Sequence, residues 1–376
     1  TGGEWNSIIK DWDNTTSRVA LAFPDTYELG MSNLGLALLY DTLNQRDDIV
    51  AERVYLPWVD MEQQMRQEAM PLFGLETRHP VIDFDILGIT LPYEQLYTNV
   101  LTLLDLSCIP LHSADRADHH PLVLAGGSAV INPEPMWPFI DAMLLGEGEE
   151  AVHEIVDGHR RWRDEGFPGG RVGLLRRLAG IDGVYIPSFY ESDYQADGTL
   201  VATAPKPEFS DVAPSQVQKR IVTVMPPPVT DFIVPYIDVV HNRAAIEIQR
   251  GCTRGCRFCQ AGMIYRPTRE RNPTWVIQNV AKALKLTGFE EISLLSLSSG
   301  DYCSIGQLLK ELMDRQSEEN VAISLPSLRV ESMDPGWFDQ IKRVRKTGFT
   351  LAPEAGSDRL REVINKPCLL YTSPSP

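Results

Sequence analysis

Arg250-Gly251-Cys252-Thr253-Arg254-Gly255-Cys256-Arg257-Phe258-Cys259 is the stretch on which the reading of this chain turns. Three thiols stand within eight residues, separated by three and then two others. Thiolates are soft ligands that suit zinc and iron–sulfur clusters. Such clusters are usually held by four cysteines, and no fourth lies near this run. A cubane held here keeps one iron open for another ligand. Structural zinc also wants four ligands, commonly from paired Cys-x-x-Cys units. Only Cys256 and Cys259 form such a pair, and Cys303 or His241 would have to complete the site. A cluster with every iron saturated, serving as an electron carrier, is a third alternative. A glycine-containing loop that folds back turns its amides into a concavity for negative charge, which suits a sulfide-rich cluster best.

Working outward, the run follows a predicted strand, Ala245–Gln249. Downstream the pattern reads helix Trp275–Thr287, strand Glu291–Leu297, helix Ile305–Gln316, strand Val321–Leu325, helix Pro335–Lys346 and strand Gly348–Ala352. These βα units begin a parallel barrel and stop short of a complete one. Upstream, strands at Val19–Phe23, Val50–Tyr55, Asp85–Leu91, Leu122–Ala125 and Ala142–Leu145 alternate with helices. Those helices are expected from Ser32, as cap, to Gln45, over Val59–Met70 and Tyr93–Leu106, and from Glu149 onward. The alternation predicts an α/β unit with a doubly wound, flavodoxin-like parallel sheet of about five strands. Such sheets bind ligands at the carboxyl ends of their strands, where Asp25, Thr90 and Gly126 fall.

Between the two patterns, Gly183–Tyr190 and Thr199–Ala204 read as a hairpin around Ala196-Asp197-Gly198, and Met225-Pro226-Pro227-Pro228 as a stiff linker. The expected domains are therefore 1–178, a β-containing connector over 179–240, and an incomplete barrel over 241–366. The segment 367–376, Cys368 included, has no periodicity and is expected to be foreign to the natural protein. Thr1 is not an initiator methionine, so the native start is expected to be missing.

Of the 376 residues, 43% are hydrophobic and 23% charged, which suits a globular protein with a real core. Six cysteines, half of them in one short run, do not read as a disulfide framework and fit a reducing, cytoplasmic setting. The longest apolar runs, such as Ile292–Leu297, are too short to cross a bilayer. A net charge of −16 argues against broad, non-specific nucleic-acid binding. Against that background seven arginines (243, 250, 254, 257, 266, 269 and 271) reverse the local sign. They form either a solvated charged loop or a balance for the cluster and for a carboxylate, phosphate or RNA.

Cys252-x-x-x-Cys256-x-Phe258-Cys259 after a strand resembles the signature of the radical S-adenosylmethionine (SAM) superfamily. The resemblance implies a [4Fe–4S] cluster whose open iron is chelated by the amine and carboxylate of SAM. The reduced cluster would pass one electron to the sulfonium, and the resulting 5′-deoxyadenosyl radical would remove a hydrogen atom from the substrate. An external one-electron donor of flavodoxin or ferredoxin type is implied as a partner. Phe258 would pack near the adenine, or simply anchor the loop. Ser298-Ser299-Gly300-Asp301 stands where the superfamily has a Gly-Gly-Glu type motif for the methionine amine; Asp301 or Ser304 as a helix N-cap is the alternative. Ser327 and Arg329 would meet the methionine carboxylate. Pro353-Glu354-Ala355-Gly356-Ser357 is similar to a segment of the methylthiotransferase-like branch, which implies a ribose contact for Glu354; an ordinary surface carboxylate is the alternative.

Over roughly residues 15–155 the chain resembles the cobalamin-binding domain that precedes the radical core in one large subfamily. Asp25-Thr26-Tyr27-Glu28-Leu29-Gly30 aligns with its Asp-x-His-x-x-Gly loop, with Tyr27 in place of the cobalt-ligating histidine. Thr90, Gly126 and Gly127 fall where that fold contacts the nucleotide tail of the cofactor. A phenol, with a reference pKa of about 10, is a poor cobalt ligand. Either cobalamin binds without a protein ligand, with Tyr27 in the crevice beneath the corrin, or the domain keeps the fold without the cofactor. Together with Asn132-Pro133-Glu134-Pro135 and Gly146-Glu147-Gly148-Glu149-Glu150, these features are similar to an uncharacterised bacterial family of cobalamin-domain radical proteins. The two resemblances cover the chain up to Lys366. They imply radical chemistry on an unidentified substrate, with methylation through methylcobalamin and an RNA target favoured. Thiolation without cobalamin and a non-catalytic Fe–S carrier are the alternatives.

Overall fold

The computed structural model describes residues 2–332, 334–345 and 352–367. The chain packs as two compact units, Ser7–Val222 and Thr1–Asn6 together with Thr223–Pro376.

In the first unit, strands β1 (Ser17–Phe23), β2 (Ile49–Tyr55), β3 (Ile86–Thr90), β4 (Leu122–Gly126) and β5 (Ala142–Leu144) run parallel. Their spatial order is β2-β1-β3-β4-β5, the flavodoxin-like order. An antiparallel edge strand, β6 (Val184–Tyr185), extends the sheet beside β5. Helices α1 (Tyr27–Gly30), α2 (Leu34–Asn44), α3 (Val59–Gln67), α4 (Tyr97–Leu106), α5 (Ala151–Asp164) and α6 (Gly170–Leu178) fill the connections. Strands covered on both faces read as unbroken apolar runs, as Val19–Phe23 and Leu122–Ala125 do.

β2 breaks that rule with Glu52 and Arg53, both buried. It is the outer strand of the sheet, and the segment after α3 crosses its open edge. Leu75 N–H donates to the Arg53 carbonyl (2.9 Å), Arg53 pairs with Glu76 (2.8 Å), and Thr77 N–H donates to Glu52 (3.1 Å). The two charges tie down a cover for an edge that would otherwise invite another strand.

Three expectations change here. α2 is capped by Asn33, whose side chain accepts from Leu36 N–H (2.9 Å), rather than by Ser32. The hairpin is formed by β7 (Tyr190–Tyr194) and β8 (Leu200–Pro205), because Val184–Tyr185 is taken by the main sheet. The expected connector 179–240 is divided between the units. Residues up to Val222 pack with the first, where Arg220 N–H donates to the Leu145 carbonyl (2.7 Å) and the Arg220 guanidinium pairs with Glu150 and Glu154.

In the second unit, β9 (Ala244–Glu247), β12 (Glu291–Leu295) and β13 (Ala322–Ser324) form a parallel sheet in that order. The two short strands β10 (Gln249–Arg250) and β11 (Arg269–Glu270), which the sequence did not announce, pair antiparallel. α8 (Pro273–Thr287) and α9 (Ile305–Gln316) connect the parallel strands, with α7 (Ala261–Ile264), α10 (Pro335–Ile341) and α11 (Asp358–Val363) around them. α8 opens with an Asn272 cap and Pro273 at its first position, and stops at Gly288 in a left-handed turn. Apart from Ala352, the strand expected at Gly348–Ala352 lies outside the described residues, as do Cys368–Pro376. Among the described residues no helix is long and apolar enough to cross a membrane.

Candidate functional site

The three thiols sit in a loop whose ends are fastened together. β10 and β11 close residues 251–268 at its neck. Gly251 enters it at φ 83°, and a Cβ there would lie 2.6 Å from the Tyr265 carbonyl oxygen and 2.7 Å from that of Pro267. Only glycine allows that approach, and Cys252 follows it directly. α7 begins just after Cys259, so Gly262 N–H points back at its sulfur (3.4 Å). Arg254 N–H lies 3.5 Å from Cys252 Sγ, and Arg329 Nη1 donates to Cys256 Sγ at 3.0 Å. Each sulfur therefore faces a hydrogen-bond donor. All three cysteines are half-buried and free.

That donor set fits a cluster. Among the described residues no group of three His, Cys, Asp or Glu side chains converges as on a single metal ion; a cubane spreads its thiolates over separate irons. The two residues a zinc site would need are engaged elsewhere. Cys303 is exposed beside Glu270, which pushes its thiol up, and its N–H donates to that carboxylate (3.1 Å). His241 lies beside Arg243 (3.2 Å).

The other barrel residues gather at the carboxyl ends of the parallel strands. Ser299, buried, and Gly300 follow β12, and Ser327 follows β13; Ser299 N–H donates to the Ser327 carbonyl (2.8 Å) and links the two loops. A Cβ on Gly300 would lie 2.2 Å from Ser332 Oγ. Asp301 is neither an N-cap nor a free acceptor. It forms a two-pronged pair with Arg254 of the cysteine loop (Nε to Oδ2, 2.7 Å), whose guanidinium holds its carboxyl below the usual carboxylate range. Arg329 is buried, pairs with Glu331 (2.5 Å), and is aimed at Cys256. Glu354, at φ 67°, pairs with Lys366 (2.9 Å). The Lys366 ammonium lies 5.9 Å from the centroid of the Phe258 ring, which is over half exposed at 54%. Three ion pairs thus surround the loop. The sequence had suggested neither them nor Asn365, whose amide bonds the carbonyls of Arg254 and Gly255.

The arginine cluster is engaged within its own unit. Arg243 pairs with Glu291 (3.0 Å), Arg250 with Glu247 (2.9 Å) and Arg254 with Asp301; Arg257 donates to the Val363 carbonyl. Arg269 bonds the Pro267 carbonyl (3.2 Å) and Arg271 those of Glu247 (2.8 Å) and Pro226 (2.6 Å), while Arg266 also has an interaction partner.

At the crest of the first unit's sheet, the expected cofactor residues separate into two groups. Tyr27 departs from the expectation that it lines a crevice. It opens α1, is buried, and meets Tyr55 edge-on with ring centroids 5.3 Å apart. Gly30 makes room for the same ring, since a Cβ there would lie 2.7 Å from Tyr55. Gly127, at φ 113°, brings its backbone against Leu91, where a Cβ would lie 2.4 Å from the carbonyl oxygen. These three serve packing. Asp25 is half-buried, with its carboxylate on Thr26 N–H (2.7 Å). Thr90 pairs in register with Gly126, and nothing lies within 4 Å of where a Gly126 Cβ would stand. Asp25 follows β1 and Thr90 ends β3, where the strand order reverses and such sheets receive ligands.

Comparison with known proteins agrees with both halves. The family model for the N-terminal part of radical SAM proteins matches residues 35–187, and that of the radical SAM superfamily matches residues 246–369. An uncharacterised protein of Methanocaldococcus jannaschii is 25% identical over 93% of this chain and 63% of its own length. A threonylcarbamoyladenosine tRNA methylthiotransferase of Treponema pallidum is 30% identical over 32% of this chain and 25% of that protein. Among solved structures, a radical SAM methyltransferase from Kitasatospora setae, determined with cobalamin and a [4Fe–4S] cluster bound, superposes with a TM-score of 0.55. It is 14% identical and matches 92% of this chain and 62% of that one, a likeness of fold. The chain thus spans about three fifths of the length of the M. jannaschii and K. setae proteins. With the three-cysteine loop after β9 and both family models in chain order, the chain belongs to the radical SAM superfamily of enzymes.

Proposed function

We propose that Cys252, Cys256 and Cys259 hold a [4Fe–4S] cluster that binds SAM, and that the chain carries out methyl transfer with cobalamin held at the crest of the N-terminal sheet. When bound, the cluster supplies one electron for cleaving the sulfonium of SAM to methionine and a 5′-deoxyadenosyl radical. The observation that carries this reading is the donor set at the three sulfurs. Arg329, Arg254 N–H and Gly262 N–H point at the sulfurs and would offset the negative charge of a sulfide-rich group. Gly300 and Ser327 offer backbone and hydroxyl groups at the strand ends for the methionine part, with buried Ser299 tying their two loops together. Phe258, with its open face, suits a purine. Asp301 and Glu354 reach an ammonium or a ribose only by exchanging their present partners, Arg254 and Lys366.

Cobalamin draws its support from the flavodoxin-like strand order, with Asp25, Thr90 and the open side of Gly126 at its switch point. No imidazole stands in the Asp25–Gly30 loop, and Tyr27 is committed to Tyr55, so these residues fit a corrin held without a protein ligand to cobalt. The methylthiotransferase relative favours a second reading, thiolation without cobalamin. An RNA target is supported by that relative alone, because the arginines are engaged. A flavodoxin- or ferredoxin-like protein would supply the electron.

Anaerobic purification of the full-length protein, with iron, sulfide, zinc and cobalamin analysis and an assay for 5′-deoxyadenosine, tests this. About four irons per chain, cobalamin and SAM cleavage on reduction are expected. Stoichiometric zinc without iron would sink the cluster; a full cluster without cobalamin would favour thiolation. If cobalamin is present, nitrogen superhyperfine splitting from a protein imidazole in the cob(II)alamin spectrum would contradict the ligand-free geometry.

A further inference from the structure

We propose that Asn365 is a positioning residue of the cysteine loop: its side-chain amide orients the Gly255 and Cys256 peptides so that their N–H groups face the cluster. The proposal rests on the reading of Cys252, Cys256 and Cys259 as cluster ligands. Asn365 Nδ2 donates to the carbonyls of Arg254 (3.1 Å) and Gly255 (2.9 Å), both between the first two cysteines. Carbonyl and N–H point opposite ways across a planar trans peptide. With those two carbonyls held by Asn365, the N–H groups of Gly255 and Cys256 point away from it. The sulfur side of the loop is marked by the next amide back, since Arg254 N–H lies 3.5 Å from Cys252 Sγ. Amides aimed at cluster sulfurs raise the reduction potential.

The clamp is itself anchored. The last carbonyls of a helix lack partners within it, and two at the end of α11 are taken by the cysteine loop. Arg257 N–H donates to the Ile364 carbonyl (2.9 Å), and its guanidinium to that of Val363. Asn365 has φ 55°, a left-handed turn that asparagine tolerates better than most residues. Lys366 N–H closes the turn onto the Arg361 carbonyl (2.9 Å), and the Arg361 side chain is buried, bonding the Ala355 carbonyl (2.9 Å).

The test compares full-length wild type, Asn365→Gly and Asn365→Asp after anaerobic reconstitution. Glycine keeps the backbone turn and removes the amide; aspartate keeps the shape and replaces the donors with acceptors. Asn320→Gly is the matched control, because Asn320 is exposed and also left-handed (φ 59°), after α9. Both Asn365 variants should lose the cluster to a chelator about fivefold faster than wild type, as two modest hydrogen bonds warrant. Redox titration followed by electron paramagnetic resonance should place their clusters at more negative potentials, and the uncharged glycine variant decides that sign. Asn320→Gly should match wild type in both. Asn365 variants indistinguishable from wild type overturn this proposal alone. So does loss of helical circular dichroism in both variants before iron is added, which would make Asn365 a folding residue. Wild-type protein that takes up no cluster overturns the proposal together with the reading beneath it.

Discussion

In the N-terminal unit, β1 and β2 run side by side for seven residues each, and their side chains are almost all buried. Between β10 and β11 the chain has one four-residue helix and otherwise irregular backbone, held by glycine turns, ion pairs and a distant asparagine. Non-directional apolar burial at about 25 cal/mol per Å² holds the first region. Directional polar bonds, each contributing about 1 kcal/mol, hold the second. A sheet built by burial tolerates the loss of a single solvent-exposed polar bond, whereas a loop built by polar bonds places donors where a charged group needs them. Stability and site chemistry therefore answer to different substitutions.

The largest expected effect breaks the site and leaves the sheet alone. Replacing Cys252, Cys256 or Cys259 by alanine should reduce iron content and 5′-deoxyadenosine formation to background, without changing the unfolding of the N-terminal unit. Cys303→Ala should retain both activities, since that thiol stands apart beside Glu270. A variant of Cys256 that still cleaves SAM would undo the assignment.

The reverse experiment disturbs the sheet. Arg53 and Glu76 are 2% and 1% exposed at their side chains, so Glu76→Ala removes a buried charge partner of the Arg53 guanidinium. Urea unfolding should show a loss of about 3–5 kcal/mol, with cluster uptake intact at low denaturant. A loss below about 1 kcal/mol would mean that the edge cover matters little.

pH separates the regions more gently. Burial in α5 lowers His159 to about 4, with Asp85 opposing the shift and Arg163 and Arg171 adding to it. The unfolded chain takes up this proton near pH 6.5 and the folded one only near 4. Stability should therefore be full above about 6.5 and fall as pH drops toward 4, by roughly 3 kcal/mol in all. Denaturation midpoints of wild type and His159→Gln measured across that window check it; equal slopes would dismiss His159 as the cause.

The smallest effect concerns one cap. Asn33→Ala should destabilise by about 1 kcal/mol. Ser32→Ala should be close to neutral, because the buried Ser32 hydroxyl has no hydrogen-bond partner among the described residues. Thermal melts of the two variants would distinguish them, and the opposite ranking would restore Ser32 as the cap.

Much of the fold was legible because buried parallel strands need unbroken apolar runs. Val19–Phe23, Leu122–Ala125 and Ala142–Leu145 betrayed themselves in this way. Ser32 and Asn33 are both good caps, and only the folded chain shows that the Asn33 side chain takes the Leu36 N–H. Val184–Tyr185 had strand composition, but its partner was β5 rather than the hairpin, which no local pattern could reveal. Tyr27 took its expected place after β1, yet its ring turned to Tyr55, a neighbour supplied by β2.

By itself the sequence determined the alternation of strands and helices, the sheet class and the three thiols, because hydrophobic period and ligand spacing are local properties. Only the tertiary structure decided what faces those thiols. Arg329 reaches Cys256 across 73 residues and Asn365 reaches Gly255 across 110. A hydrogen bond depends on position and direction within a few tenths of an ångström, and those are set where folded elements meet rather than by the order of residues along the chain.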